Sequence, residues 1–122
     1  MKHRKILITG ASRGLGRAMV EVLADLGHTV IGCARSQASI DDLRKQFPIP
    51  HRFDVVDIGS NAGLFSLVAA QRCKQVWGVE IDNPSLRQAK FLKAHWKATG
   101  KRVDNVIFLH GDIMDHLNLL SQ

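Results

Sequence analysis

The apolar segments of this chain alternate between two kinds, and that alternation limits the possible folds more than any other feature. Short runs such as KILITG (5–10) and TVIGCAR (29–35) are apolar at nearly every position. Longer segments between them, such as GLGRAMVEVLADLGH (14–28), repeat apolar residues at helical spacing. The pattern predicts βαβαβαβαβ, and strands that are apolar on both sides are typical of a parallel sheet covered by helices.

The boundaries of these elements follow from turn and cap residues. Further strands are predicted near 53–58, 75–82 and 105–112, and further helices after Ser36, over 62–73, and from Asn83-Pro84 to Thr99. A last turn or short helix is predicted in HLNLLSQ (116–122). The apolar face of the first helix comprises Leu15, Met19, Val22, Leu23 and Leu26. That of the last long helix comprises Leu86, Ala89, Leu92 and Trp96.

We therefore expect one Rossmann-like domain over residues 1–122, an α/β/α sandwich with a five-stranded parallel sheet. Two strand orders remain open. The order 3-2-1-4-5 places helices on both faces of the sheet, which suits strands that are apolar on both sides, and we prefer it. The order 1-2-3-4-5 places all helices on one face and leaves the other face bare or buried in a homodimer.

Composition excludes several classes of function. No apolar run approaches the roughly 20 residues that span a bilayer, so we expect a soluble cytoplasmic protein without membrane contact. The net charge is +6, but the cations are dispersed, and we do not expect nucleic-acid binding. Cys33 and Cys73 fit no metal-ligand spacing, so we expect no metal site. No partner is obligatory on these grounds.

The segment TGASRGLG (9–16) follows a strand and opens a helix. Its glycines permit a tight turn and close approach of a pyrophosphate to the helix N-terminus. With ARS at the end of the second strand and DVVDI at the third, residues 4–58 resemble the N-terminal half of a short-chain dehydrogenase/reductase. The resemblance implies that the dinucleotide phosphates would be lined by Gly10, Ser12, Arg13, Gly14, Leu15 and Gly16.

The same resemblance suggests which dinucleotide would bind. Arg35 stands where an acidic residue would select NAD, and a guanidinium there, with Arg13 nearby, suits the 2′-phosphate of NADP. A surface cation after a strand is an equally good explanation of Arg35. Asp54 and Val55 would lie beside the adenine. The family's chemistry also needs a tyrosine with a lysine four residues later, and this chain has no tyrosine.

A second pattern begins where the first ends. Acidic residues stand at the ends of three successive predicted strands, in the segments VVDIGSNAGLFS, VEID and FLHGDIMD. Residues 55–115 resemble a class I S-adenosylmethionine-dependent methyltransferase. The resemblance implies that Asp57, Gly59, Ser60 and Gly63 surround the methionine part of that cofactor. Glu80 would hold the ribose, Asp112 with Ile113 would bracket the adenine, and Asp82 is a weaker candidate.

The two patterns overlap on the strand DVVD, and each lacks its family's catalytic half. We interpret the chain as an artificial chimera: a dehydrogenase-like part (1–58) joined to a methyltransferase-like part (55–122). That interpretation predicts no enzyme activity, no catalytic residue, no required cofactor, and at most weak binding of NADP or S-adenosylmethionine. The alternative is a truncated natural domain of either family that still binds its cofactor.

Overall fold

The structure is a computed structural model that describes residues 2–116. Within these residues it contains five strands, four α-helices and a 3₁₀ helix at Ile113–His116. The strands are β1 (Lys5–Thr9), β2 (Thr29–Ala34), β3 (Arg52–Ile58), β4 (Val76–Glu80) and β5 (Val106–His110). The helices are α1 (Gly14–Asp25), α2 (Gln37–Gln46), α3 (Leu64–Ala70) and α4 (Asn83–Ala98). The turn or helix predicted in HLNLLSQ lies outside the described residues beyond His116.

The strands form a parallel, five-stranded sheet in the order β1-β2-β3-β4-β5. The prediction of a Rossmann-like α/β fold with a parallel sheet is confirmed. The preferred order 3-2-1-4-5 is wrong, and the alternative order is the observed one. Strands β3 and β4 are direct neighbours, with Asp57 opposite Gly78.

Backbone hydrogen bonds after β3 explain this order. The N–H groups of Gly59 and Ser60 both donate to the carbonyl of Val79 in β4, at 2.8 and 3.0 Å. The chain is therefore held to β4 as soon as β3 ends. The helix that follows has only seven residues, Leu64–Ala70, and spans about 10 Å at 1.5 Å per residue. The order 3-2-1-4-5 would need a long connection from β3 across two strands. The observed connection through α3 is short and joins the adjacent strands β3 and β4.

The described residues form two compact units, one extending to Asp54 and the other comprising Val55–His116. The core of the first unit includes Val20, Ile31 and Phe53, all nearly inaccessible to solvent. The core of the second includes the fully buried side chains of Leu67 and Val76. Within residues 2–116, no helix has the length and apolar composition needed to cross a membrane.

Helix α1 buries a different face from the one predicted. Val20 is its one buried side chain, whereas Leu15, Met19, Val22 and Leu26 are exposed. The reason is the strand order, because within residues 2–116 β1 is the outermost strand of the sheet on this side. In α4, by contrast, the predicted face is confirmed: Leu86 and Ala89 are buried, and Leu92 and Trp96 are half-buried.

Each unit contains one buried thiol. Cys33 lies in β2 and Cys73 follows α3, and both are 4% exposed. Burial, with a smaller contribution from the nearby Asp54 carboxylate, raises the pKa of Cys33 to about 12. Both buried cysteines are thiols rather than disulfide partners.

A histidine side chain ties the start of β3 to β2. Nδ1 of His51 accepts a hydrogen bond from the backbone N–H of Val30 at 3.1 Å. A ring nitrogen can accept only while it carries no proton. Burial lowers the pKa of His51 below its ordinary value of 6.5, so the folded first unit favours the neutral ring.

We expect the first unit to lose stability as the pH falls below 6.5. Because the folded pKa of His51 lies below 6.5, the unfolded chain binds this proton more readily. The stabilisation is therefore complete above pH 6.5 and is lost as the pH falls through the folded pKa. Urea unfolding followed by far-ultraviolet circular dichroism at pH 7.5 and 5.5 measures the loss. His51→Asn keeps an acceptor near the position of Nδ1 but does not titrate, so its loss of stability between pH 7.5 and 5.5 should be smaller. His95→Asn, at an exposed position of α4, is the control and should lose as much stability as wild type. Equal losses in all three proteins would contradict this.

Candidate functional site

The loop between β1 and α1 is an open cradle of glycines. Gly10 and Gly14 have φ angles of +65° and +60°, a region that disfavours other residues. A Cβ atom at either position would meet no atom within 4 Å beyond its chain neighbours. Gly16 differs, because a Cβ there would lie 2.1 Å from the carbonyl oxygen of Gly10. Gly16 thus lets α1 approach the loop, while Gly10 and Gly14 leave space above it.

The N-terminus of α1 faces this space without a side-chain cap. Its N-cap residue is Arg13, whose side chain makes no capping hydrogen bond. Helix α2 is capped by the hydroxyl of Ser36, as predicted, and α4 by the carboxylate of Asp82. The first N–H groups of a helix need an acceptor and attract anions. An anion in the glycine cradle would supply that acceptor.

The other predicted phosphate-loop residues differ in their exposure to solvent. Ser12 is half-buried, Arg13 is exposed, and Leu15 is 78% exposed. Arg35 follows β2 directly and is exposed. Thr9 pairs with Cys33 at the carboxyl ends of β1 and β2. The loop after β1 and Arg35 after β2 therefore both lie at the carboxyl end of the parallel strands. Ligands of parallel α/β sheets bind at this end.

Asp54, predicted beside the adenine, is 5% exposed and is paired inside the first unit. Its Oδ1 accepts a hydrogen bond from Nη2 of Arg44 at 3.0 Å, and Arg52 lies 3.7 Å from Oδ2. Burial raises the pKa of Asp54, and the two arginines offset that rise in part. This cluster could not be predicted from the sequence pattern, since Arg44 is ten residues away on α2. Val55, the other predicted adenine neighbour, is buried in the second unit.

The loop after β3 repeats the glycine spacing of the first loop, but of its two glycines only Gly59 has open space beside it. Gly59 and Gly63 have φ angles of +68° and +83°. A Cβ atom at Gly63, however, would lie 2.6 Å from the ring of Phe108 and 2.8 Å from Ala89. Packing of α3 against its neighbours therefore accounts for Gly63. The carboxylate of Asp57 accepts a hydrogen bond from the hydroxyl of Ser66 at 2.8 Å.

Glu80, predicted to hold a ribose, binds backbone N–H groups. Its Oε2 accepts from the N–H of Asn61 at 2.6 Å and its Oε1 from the N–H of Asp82 at 3.0 Å. These bonds lower the pKa of Glu80. Asn61 has a φ of +54°, so the carboxylate stabilises a left-handed turn that asparagine tolerates better than most residues. Sequence reasoning missed Asn61 in this role.

The remaining strand-end acid, Asp112, is exposed after β5. Its hydrogen bonds to described residues are local: its Oδ1 accepts from the N–H of Met114 at 2.8 Å, and its own N–H donates to Asp115 at 3.3 Å. Ile113, its predicted partner, begins the 3₁₀ helix. The roles of Asp57, Gly59, Gly63, Glu80 and Asp112 in cofactor binding stay predictions. Residues 2–116 contain no group of histidines, cysteines and carboxylates that could hold a metal ion.

Comparison with known proteins identifies the family to which this chain belongs. The family model for the short chain dehydrogenase matches residues 4–107, which is most of the chain. The chain belongs to the short-chain dehydrogenase family. An NADPH-dependent pterin aldehyde reductase of Arabidopsis thaliana is 46% identical over 63 residues, covering 50% of this chain and 26% of the relative. Dehydrogenase/reductase SDR family member 11 of Bos taurus is 35% identical over 88 residues, covering 66% and 33%.

This short-chain dehydrogenase sequence thus spans about a quarter to a third of the length of those two relatives. Among solved structures, a short-chain dehydrogenase from Streptomyces avermitilis is 24% identical, with a TM-score of 0.44. That alignment covers 88% of this chain and 49% of the solved chain.

The family match corrects three expectations. It covers residues 4–107, which extend past β3 and β4 into β5, so the segment after Val55 is not a methyltransferase part. The hypothesis of an artificial chimera without evolved function is therefore wrong. The prediction that the chain belongs to no enzyme family is also wrong, because its relatives are named as reductases and dehydrogenases. The resemblance of residues 4–58 to short-chain dehydrogenases is confirmed.

Proposed function

We propose that this chain is the cofactor-binding part of an NADP(H)-dependent oxidoreductase of the short-chain dehydrogenase family. The observation that carries the proposal is the open space above Gly10 and Gly14 at the uncapped start of α1. A pyrophosphate fits both the space and the N–H groups that face it. One relative is named as an NADPH-dependent reductase, which supports NADP(H) over NAD(H).

Bound NADP(H) would supply the hydride that is exchanged with a carbonyl or alcohol substrate. The loop 10–16 would hold the pyrophosphate by its backbone, and Leu15 would cover the loop with an exposed apolar side chain. Arg35 and Arg13 would bind the 2′-phosphate as charge-assisted hydrogen-bond donors. The 122 residues contain no tyrosine, so their proposed role is to bind the cofactor, and none of them is assigned to substrate chemistry.

The choice between NADPH and NADH tests the role of Arg35. Arg35→Asp should weaken NADPH binding by at least about tenfold and leave NADH binding equal or stronger, because a carboxylate repels the 2′-phosphate and accepts from ribose hydroxyls. Titration calorimetry with both cofactors measures the preference. Lys45→Asp makes the same change of charge at an exposed position on α2 and serves as the control. If both variants lose NADPH affinity equally, the effect is one of net charge and Arg35 has no specific role.

A further inference from the structure

Helix α4 and the turn that follows it concentrate positive charge. Residues 83–103 contain no aspartate or glutamate but six lysines and arginines, which are Arg87, Lys90, Lys93, Lys97, Lys101 and Arg102. Along the sequence these cations are dispersed among other residues, and from that spacing alone we do not expect nucleic acid to bind. A helix, however, brings residues three, four and seven positions apart to one side. Folding of α4 therefore gives some of these cations a shared surface.

Three of the cations form a strip on the outward side of α4, hereafter the α4 basic strip. At about 100° and 1.5 Å per residue, Arg87, Lys90 and Lys97 lie within roughly 80° of one another and extend over about 15 Å. All three are exposed. Lys93 lies outside the strip, and its Nζ donates to a backbone carbonyl of β5. The ion pair of Lys97 with Asp104 is exposed and long, at 3.8 Å, so it holds this lysine only weakly.

A groove beside the α4 basic strip adds an aromatic surface. Its volume is about 630 Å³, and its lining residues are Ala62, Pro84, Arg87, Gln88, Phe91 and Leu92. Phe91 is 77% exposed and lies about 40° around the helix from Arg87. The groove therefore brings together a guanidinium, a side-chain amide and an open aromatic ring. These groups can bind a phosphate, bond to the edge of a nucleobase and stack on its face, respectively.

We propose that the α4 basic strip and the adjoining groove bind a single-stranded nucleic acid. One base stacks on the ring of Phe91, and the amide of Gln88 bonds to the edge of a base. The three cations of the strip contact phosphates of the same strand. The strand must be unpaired, because the bases of a duplex are stacked on one another and cannot reach Phe91. All of these residues belong to the second unit, whereas the glycine cradle belongs to the first.

Charge and apolar area favour a nucleic acid over other occupants. A second copy of the chain would bring like charges against the strip and be repelled. A further apolar segment packed here would have to remove three cations from water, which is costly. A helix that lies in a membrane interface needs a continuous apolar side, whereas the apolar side of α4 is buried through Leu86 and Ala89. An acidic peptide matches the charge but gives the exposed ring of Phe91 no base on which to stack.

Fluorescence anisotropy with labelled oligouridine and oligothymidine of about twelve nucleotides tests the binding. We expect both strands to bind with micromolar dissociation constants at about 50 mM salt, because the proposed contacts use phosphates and bases but no ribose hydroxyl. Three phosphate contacts predict a roughly 20-fold loss of affinity between about 50 and 200 mM salt. Binding of neither strand at about 100 µM protein would overturn the proposal. Displacement of a bound strand by poly-aspartate or by phosphatidylserine vesicles at equal charge would also overturn it.

Two pairs of variants separate stacking from charge. Phe91→Ala should weaken binding about fivefold or more at unchanged salt dependence, because it removes stacking but no charge. Phe65→Ala is its control, since Phe65 is 80% exposed on α3, and it should bind as wild type. Lys90→Gln should reduce the slope of log affinity against log salt by about 0.7, whereas Lys45→Gln, exposed on α2 in the first unit, should not. Equal effects of a variant and its control, in either pair, would show that α4 is not the binding surface.

Discussion

Replacing Gly14 by valine should weaken NADPH binding by at least about 100-fold, equivalent to about 2.7 kcal/mol. The side chain would project into the space above the loop, which the pyrophosphate needs, because a Cβ at Gly14 meets no protein atom within 4 Å. The substitution also strains the backbone, since the φ of Gly14 is +60°. That strain alone would cost about 1–2 kcal/mol of folding free energy.

Gly27→Val separates these two effects. Gly27 follows α1 and its C-cap residue Leu26, has a φ of +83°, and a Cβ there also meets no atom within 4 Å. The control therefore carries a similar backbone strain, away from the phosphate loop. Urea unfolding should show comparable losses of stability in the two variants. Titration calorimetry with NADPH should show a loss of binding for Gly14→Val alone. Retained affinity in Gly14→Val would show that the loop does not hold the cofactor.

Removing the carboxylate of Glu80 should lower the free energy of unfolding of the second unit by about 2–3 kcal/mol. Glu80→Ala leaves the N–H groups of Asn61 and Asp82 without their acceptor, and hydrogen bonds to a charged group contribute a net ~1.5–3 kcal/mol each. Because Asn61 and Asp82 are exposed, water replaces part of the lost bonding in the variant, and the expected loss is below the sum of the two. Urea unfolding followed by tryptophan fluorescence measures this directly, because Trp77 and Trp96 both belong to the second unit. Asp112→Ala removes an exposed strand-end acid and should cost far less.

The pH dependence of Glu80 gives an independent check. Its folded pKa lies below the ordinary value of 4.5, so the unfolded chain binds this proton more readily. The stabilisation is complete above pH 4.5 and is lost as the pH falls through the folded pKa. Glu80→Gln cannot titrate, so it should lack this part of the acid destabilisation. If Glu80→Ala is as stable as Asp112→Ala, the carboxylate does not hold the two turns together.

The sequence allowed the elements and their parallel pairing to be predicted, because these depend on local periodicity and on apolar strands. The strand order could not be predicted in the same way. It depends on the bonds from Gly59 and Ser60 to the carbonyl of Val79, which are backbone contacts between segments about twenty residues apart. Backbone hydrogen bonds of this kind leave no pattern of side-chain types in the sequence. Periodicity likewise located the apolar stripe of α1 but could not show that, within residues 2–116, β1 is the outermost strand beside it.

The two glycine loops show how far site prediction could go. Both have the spacing G-x-x-x-G after a strand, and sequence reasoning gave both of them a ligand. What separates them is the space around the second glycine, which is open at Gly14 and filled by Phe108 at Gly63. Phe108 is 45 residues from Gly63 in the chain, so that difference appears only after folding. The acid at Glu80 was similarly ambiguous, because its bond to Asn61 depends on the direction of a single N–H group.

The placement of the two cysteines gives this protein a built-in pair of reporters. Cys33 belongs to the first unit and Cys73 to the second, and each thiol is shielded while its unit is closed. Alkylation of either sulfur must then wait for an opening event, so its rate reports the free energy of that opening. With one site in each unit, mass spectrometry of partly alkylated protein would show whether the glycine cradle and the Glu80 turn open together or separately. Protection of Cys33 by NADPH, without change at Cys73, would assign the cofactor's stabilisation to one unit alone.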